Sequence, residues 1–128
     1  ETYGLDMFPH EDLKISWIYQ KRGLQDEAKN FFNSYAVYCE NDQSIYKSAS
    51  LASKYVYEGK HDLAIEQLKI FATQSGFQYW IVVFMEIDPI LEPLKSHPEF
   101  ETVMGQIKEQ FWKDHNQLKA TLVEKGLL

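Results

Sequence analysis

The chain has 128 residues, 45% of them apolar, 15% aromatic and 25% charged, which suits one globular domain burying about two-thirds of its surface. That aromatic content excludes a disordered chain, and only six glycines and four prolines argue against an all-β fold with many tight turns. Nineteen acids oppose thirteen bases, for a net charge of −6 with Arg22 the single arginine, so direct nucleic-acid binding through clustered cations is not expected.

Residues 1–9 read as a linker. The first residue is Glu1, and with no signal-peptide pattern the chain reads as part of a longer protein. Beyond the linker the sequence matches itself best at an offset of 36 residues, pairing Tyr19 with Tyr55, Gly23 with Gly59, Asp26 with Asp62, Ala28 with Ala64 and Ala36 with Ala72. Residues 10–40 form the first copy. Ile15, Ile18 and Tyr19 share a helical face at i, i+3 and i+4. Gly23 ends that helix, because glycine takes the left-handed cap without a Cβ clash. Asp26 then lies near the positive end of a second helix, whose small Ala28 permits close approach and whose Phe32 and Tyr35 pack one and two turns on. Residues 44–75 repeat the pattern with Leu51, Ala52, Tyr55, Gly59, Asp62, Ala64, Leu68 and Phe71.

The spacings Tyr19–Gly23–Ala28–Phe32 and Tyr55–Gly59–Ala64–Leu68 resemble the tetratricopeptide repeat (TPR), which places a large residue, a glycine, a small alanine and an aromatic at these intervals over about 34 residues. Asp12 and Ser48 stand where the family has its early tryptophan, Glu40 and Gly76 where it has its closing proline, and the period is longer.

Residues 77–128 are expected to cap the two repeats. The run from Phe77 to Ile87 is apolar on nearly every side and reads as a helix buried from several directions. The longest apolar stretch, Phe77 to Met85, is broken by Gln78 and stops at Glu86, about half the length a membrane span requires. Pro89, Pro93 and Pro98 bracket a short turn carrying Ile90, Leu91 and Leu94. Ser96 and Glu99 fit a capping box for a final helix reaching about Lys125, stopped by Gly126. The inner stripe of that helix is Phe100, Val103, Met104, Ile107, Phe111, Leu118 and Leu122. The expected fold is therefore all-α, a TPR-like right-handed stack of antiparallel helix pairs closed by a long C-terminal helix. The segment from Asp88 to Phe100 is similar to one that closes TPR arrays in bacterial multidomain regulators. That resemblance implies a C-terminal module behind an effector domain of winged-helix or nucleotide-cyclase type.

The family pattern projects a concave face lined by the first helix of each pair. Leu13, Lys14, Trp17, Gln20 and Lys21 would come from the first unit, and Tyr46, Ala49, Ser50, Ser53 and Tyr57 from the second. The peptide-groove candidates are Lys14, Trp17, Gln20, Lys21, Ser50, Ser53 and Tyr57. For Trp17 the alternative is packing against Met7 or Phe8, and for Lys14 and Lys21 it is a solvated surface. Leu13, Trp17 and Ser50 occupy positions where one TPR subtype carries its lysine and asparagine carboxylate clamp, so chaperone-tail binding is not implied. Trp112, beside Phe111, is either core edge or a self-association surface.

Little in the sequence points to catalysis. His10, His61, His97 and His115 are scattered without metal-ligand spacing. Cys39, the one cysteine, lies towards a helix C-terminus, the wrong dipole end for a thiolate. No phosphate-binding glycine loop or nucleophile elbow occurs. The reading is a non-catalytic interaction module with no cofactor, cytoplasmic, binding a protein, a peptide or a domain of its own parent chain, and without direct membrane contact. The alternatives are a homodimerisation domain acting through the C-terminal helix and a small-molecule sensor.

Overall fold

Two helical hairpins repeat at the offset seen in the sequence. The computed structural model describes residues 9–128; residues 1–8, with the expected contact of Trp17 to Met7 or Phe8, lie outside them. A short 3-10 turn, Pro9–Glu11, leads into α1 (Asp12–Lys21) and α2 (Gln25–Asn41), followed by α3 (Lys47–Tyr57) and α4 (His61–Phe71). Helix α5 (Tyr79–Ile87), a 3-10 helix (Glu92–Ser96) and α6 (Phe100–Glu124) complete the chain. Every regular element among the described residues is helical.

The turns within the hairpins are near copies. Gly23 and Gly59 take φ of +78° and +79°, and the following residues, Leu24 and Lys60, share φ near −95° with ψ of 77° and 69°. In each turn that residue's N–H returns to a tyrosine carbonyl, Leu24 to Tyr19 at 3.0 Å and Lys60 to Tyr55 at 2.8 Å. This left-handed cap satisfies carbonyls that the helix end would otherwise orphan.

Small residues meet inside both hairpins. Ser16 and its repeat mate Ala52 are fully buried, as are Ala28 and Ala64. The approach in the first hairpin is close enough for Ser16 Oγ to donate to the Ala28 carbonyl at 2.6 Å. The buried side of α1 is Asp12, Leu13 and Ser16, which corrects the face read from Ile15, Ile18 and Tyr19: Ile18 is 47% exposed. The inward stripe starts at Leu13 and advances by i+3 to Ser16, because only a small residue fits where α1 crosses α2.

Two apolar clusters hold the elements. The larger joins α3, α4, α5 and α6 around Leu68, Phe71, Val82, Leu94 and Ile107. The smaller gathers Leu13, Tyr35, Cys39 and Ile90, with Trp17, Phe32, Leu51 and Tyr57 packed against it. Ile90 and Leu91 are neighbours in sequence yet enter different clusters, so the turn after α5 ties the first hairpin to the C-terminal half.

Three further expectations need correction. Helix α5 is not buried from several directions. Only Val82 and Met85 are buried, while Trp80 is 59% and Ile87 69% exposed, because nine residues turn back at Pro89 before a second helix can cover them. The Ser96–Glu99 capping box does not form. His97 precedes Pro98 and is held extended at ψ 135°, so α6 begins at Phe100. Ser96 Oγ instead donates to the Pro93 carbonyl, and the Glu99 N–H to His97 Nδ1. Finally, the inner stripe of α6 leaves the body after Phe111: Leu118 is 60% exposed and Leu122 only partly covered.

Candidate functional site

The first helix of each hairpin and α5 enclose a groove of about 320 Å³. Leu13 of α1, Ala49 of α3 and Met85 of α5 form its floor, and all three are buried. They stand 36 residues apart in sequence, so the repeat brings one apolar residue from each helix to the same depth. Tyr35 and Tyr38 of α2 contribute from behind. The Tyr35 hydroxyl donates to the Ser50 carbonyl at 3.1 Å, and burial raises its pKa well above the usual phenol value.

One wall is aromatic. Tyr46, immediately before α3, stacks on Trp80 with ring centroids 6.1 Å apart, and Trp80 meets Phe84 edge-on at 6.4 Å. The Tyr46 hydroxyl accepts the Gln78 N–H at 2.9 Å, fixing the start of α5 against the start of α3. Trp80 and Phe84 sit four residues apart and so project from one side of α5.

The end of the groove is charged. Asp88, its side chain 7% exposed, accepts the Ile90 N–H at 3.0 Å through Oδ1. Lys14 Nζ lies 3.8 Å from that same oxygen and 4.2 Å from the Phe84 ring centroid. The ammonium is shared between a carboxylate and an aromatic face, an arrangement each partner stabilises. Glu11 adds a second carboxylate at the rim.

Of the residues expected in a peptide groove, Lys14, Ser50 and Ser53 line this one together with Leu13, Tyr46 and Ala49. The others stand elsewhere. Trp17 is partly covered by the smaller cluster and has Lys21 Nζ 5.2 Å from its ring centre. Gln20 and Lys21 are exposed on the far end of α1. Tyr57 stacks on Phe32 at 5.2 Å and its hydroxyl lies 2.7 Å from Ser16 Oγ, which places it between the hairpins. Trp112 is half exposed, against Tyr79 at 5.7 Å and His115 at 5.4 Å.

Sequence reasoning missed Trp80, Phe84 and Met85 as groove residues, because the whole run was assigned to the interior. A signal was present: one more step of 36 residues from Leu13 and Ala49 lands on Met85, and the helical neighbours of Met85 on the same side then line the opening.

The arrangement combines an apolar floor, an aromatic wall and a charged end, features that ligand-binding pockets share. Among the described residues no group of three or more His, Cys, Asp or Glu side chains converges to hold a metal ion. Cys39 is fully buried and its thiol pushed up to about 11 by that burial, so it stays protonated at neutral pH. No helix among the described residues is long and apolar enough to cross a membrane.

No family model matches the chain, and neither a curated protein nor a solved structure does.

Proposed function

We propose that the chain is a non-catalytic protein-interaction module whose groove between α1, α3 and α5 holds a peptide segment of a partner protein or of its own parent chain. The observation that carries this reading is the floor Leu13–Ala49–Met85, flanked by half-exposed Trp80 and Phe84. Large aromatic side chains left at the mouth of a preformed apolar groove are what binding hot spots consist of. A groove lined by the leading helices of successive hairpins is also what a TPR-like right-handed stack would present. On that reading the chain is the docking or regulatory C-terminal part of a bacterial signalling or transcription regulator, working in the cytoplasm.

Selection of a displayed random heptapeptide library on the immobilised chain, repeated on Trp80→Ala and Phe84→Ala, tests the reading. Clones that bind the parent chain and are lost on both variants support it. Recovery only of clones indifferent to both substitutions contradicts it.

A second reading, self-association through α6, rests on one specific feature. Trp112, Leu118, Val123, Leu127 and Leu128 are all exposed along the end of the chain. Light scattering over a concentration series separates the two, since a monomer at all concentrations removes the second reading.

A further inference from the structure

The charged end of the groove narrows the chemistry of its occupant. The ammonium of Lys14 already rests there, 4.2 Å from the Phe84 centroid and 3.8 Å from Asp88 Oδ1. The second distance is beyond hydrogen-bond length, so Asp88 is a buried carboxylate with a loose counter-ion. Its other fixed contact is the Ile90 N–H. Glu11 at the rim is set against His10, whose Nε2 lies 3.4 Å from it, which leaves Asp88 and Lys14 as the charged pair at the end of the groove.

We propose that the occupant is a basic segment of a partner protein, in which an arginine or lysine side chain replaces Lys14 on the Phe84 face and beside Asp88. This rests on the docking reading above and assigns the partner's chemistry. A carboxylate-bearing ligand at this end would bring a second negative charge beside the buried Asp88, where Lys14 is already engaged. A wholly apolar ligand would bury the Lys14–Asp88 pair without adding a hydrogen bond, which costs free energy. A guanidinium gains at both contacts, because its plane stacks on an aromatic ring while its edge donates to a carboxylate. Lys14 occupies the cation position from within the chain, and its side chain is 31% exposed, leaving it room to swing out as the ligand enters.

The test uses the groove-dependent clones, those lost on Trp80→Ala and Phe84→Ala, from the same heptapeptide selection. Their peptides are synthesised and titrated calorimetrically into the parent chain, Lys14→Met and Asp88→Asn. Each variant is first checked by circular dichroism, and Lys14→Gln replaces Lys14→Met if the latter fails to fold. The expected result is enrichment in arginine and lysine, binding about tenfold tighter to Lys14→Met and about tenfold weaker to Asp88→Asn. Groove-dependent peptides that are acidic or neutral, or that lose binding on Lys14→Met, overturn the basic-segment assignment while leaving the docking groove in place. Absence of any groove-dependent clone overturns the docking reading itself.

Discussion

The hydroxyl of Tyr57 lies 2.7 Å from Ser16 Oγ, and because Ser16 spends its only proton on the Ala28 carbonyl, Tyr57 is the donor between them. One buried serine thus links α1 to α2 and to α3. Tyr57→Phe removes the donor and keeps the ring stacked on Phe32, so the expected loss is about 1 kcal/mol. Ser16→Ala removes both of these hydrogen bonds and leaves the Tyr57 hydroxyl without its acceptor, while the Ala28 carbonyl keeps its intrahelical bond within α2; it should cost more, about 1–3 kcal/mol. Urea unfolding of the two variants measures both, and equal losses would contradict the donor assignment.

The repeated turn makes a matched pair of predictions. A Cβ added at Gly23 or Gly59 meets nothing within 4 Å, so the only penalty is that of an L residue at φ near +79°. Gly23→Ala and Gly59→Ala should each destabilise the chain by about 1 kcal/mol. Thermal melts giving clearly unequal losses would mean that the two hairpins differ in more than sequence.

The turns, the hairpins and the small-residue crossings were legible because each depends on local stereochemistry. Glycine takes positive φ, and a helix crossing needs Ala28 and Ala64 wherever it occurs. Helix α5 was not legible in the same way. Its composition reports how apolar it is but not how many neighbours surround it, and whether Trp80 is covered depends on where the chain goes after Pro89. The misread capping box has a local cause that the sequence did contain, since His97 before Pro98 favours extended backbone over a helical start. Tyr57 was placed in the groove by family projection. Its hydroxyl turns instead towards Ser16, a pairing 41 residues apart that periodicity alone does not specify.

Burial of Cys39 and Tyr35 sets an alkaline limit. Both pKa values are raised by desolvation, Cys39 from 9.0 to about 11 and Tyr35 upward from 10.0. Below pH 9 both groups hold their protons in the folded and unfolded states, and this source of stability is fully present. Between pH 9 and about 11 the unfolded chain releases the Cys39 proton while the folded chain keeps it, so stability falls as pH rises. Tyr35 adds the same sign above pH 10. The Cys39 contribution is on the order of 2 kcal/mol across that window. Denaturant midpoints of the parent chain and Cys39→Ala at pH 8 and pH 10.5 should therefore converge at the higher pH. A constant difference between them would contradict the assignment.

The overhanging end of α6 should be dispensable for the body. Asp114 still serves it, accepting the Gly76 N–H through Oδ2 at 3.1 Å, and His115 stacks on Phe111 at 6.0 Å. From Asn116 onward every residue but the partly covered Leu122 is open to solvent, and Leu122 too lies outside the core clusters. A chain ending at His115 is expected to unfold within about 0.5 kcal/mol of the full chain. Ending it at Phe111 instead removes the Asp114 contact and the Trp112–Tyr79 packing, and should cost visibly more.

The most direct test of the docking groove is a nuclear magnetic resonance titration of the labelled chain with a groove-selected heptapeptide, following the three tryptophan indoles and the Met85 methyl. With a peptide in the groove, the Trp80 indole and the Met85 methyl are expected to shift in a saturable way while Trp112 stays fixed. Movement of the Trp112 indole and the Leu118 methyls, with Trp80 and Met85 unmoved, would contradict the docking groove and place binding on α6.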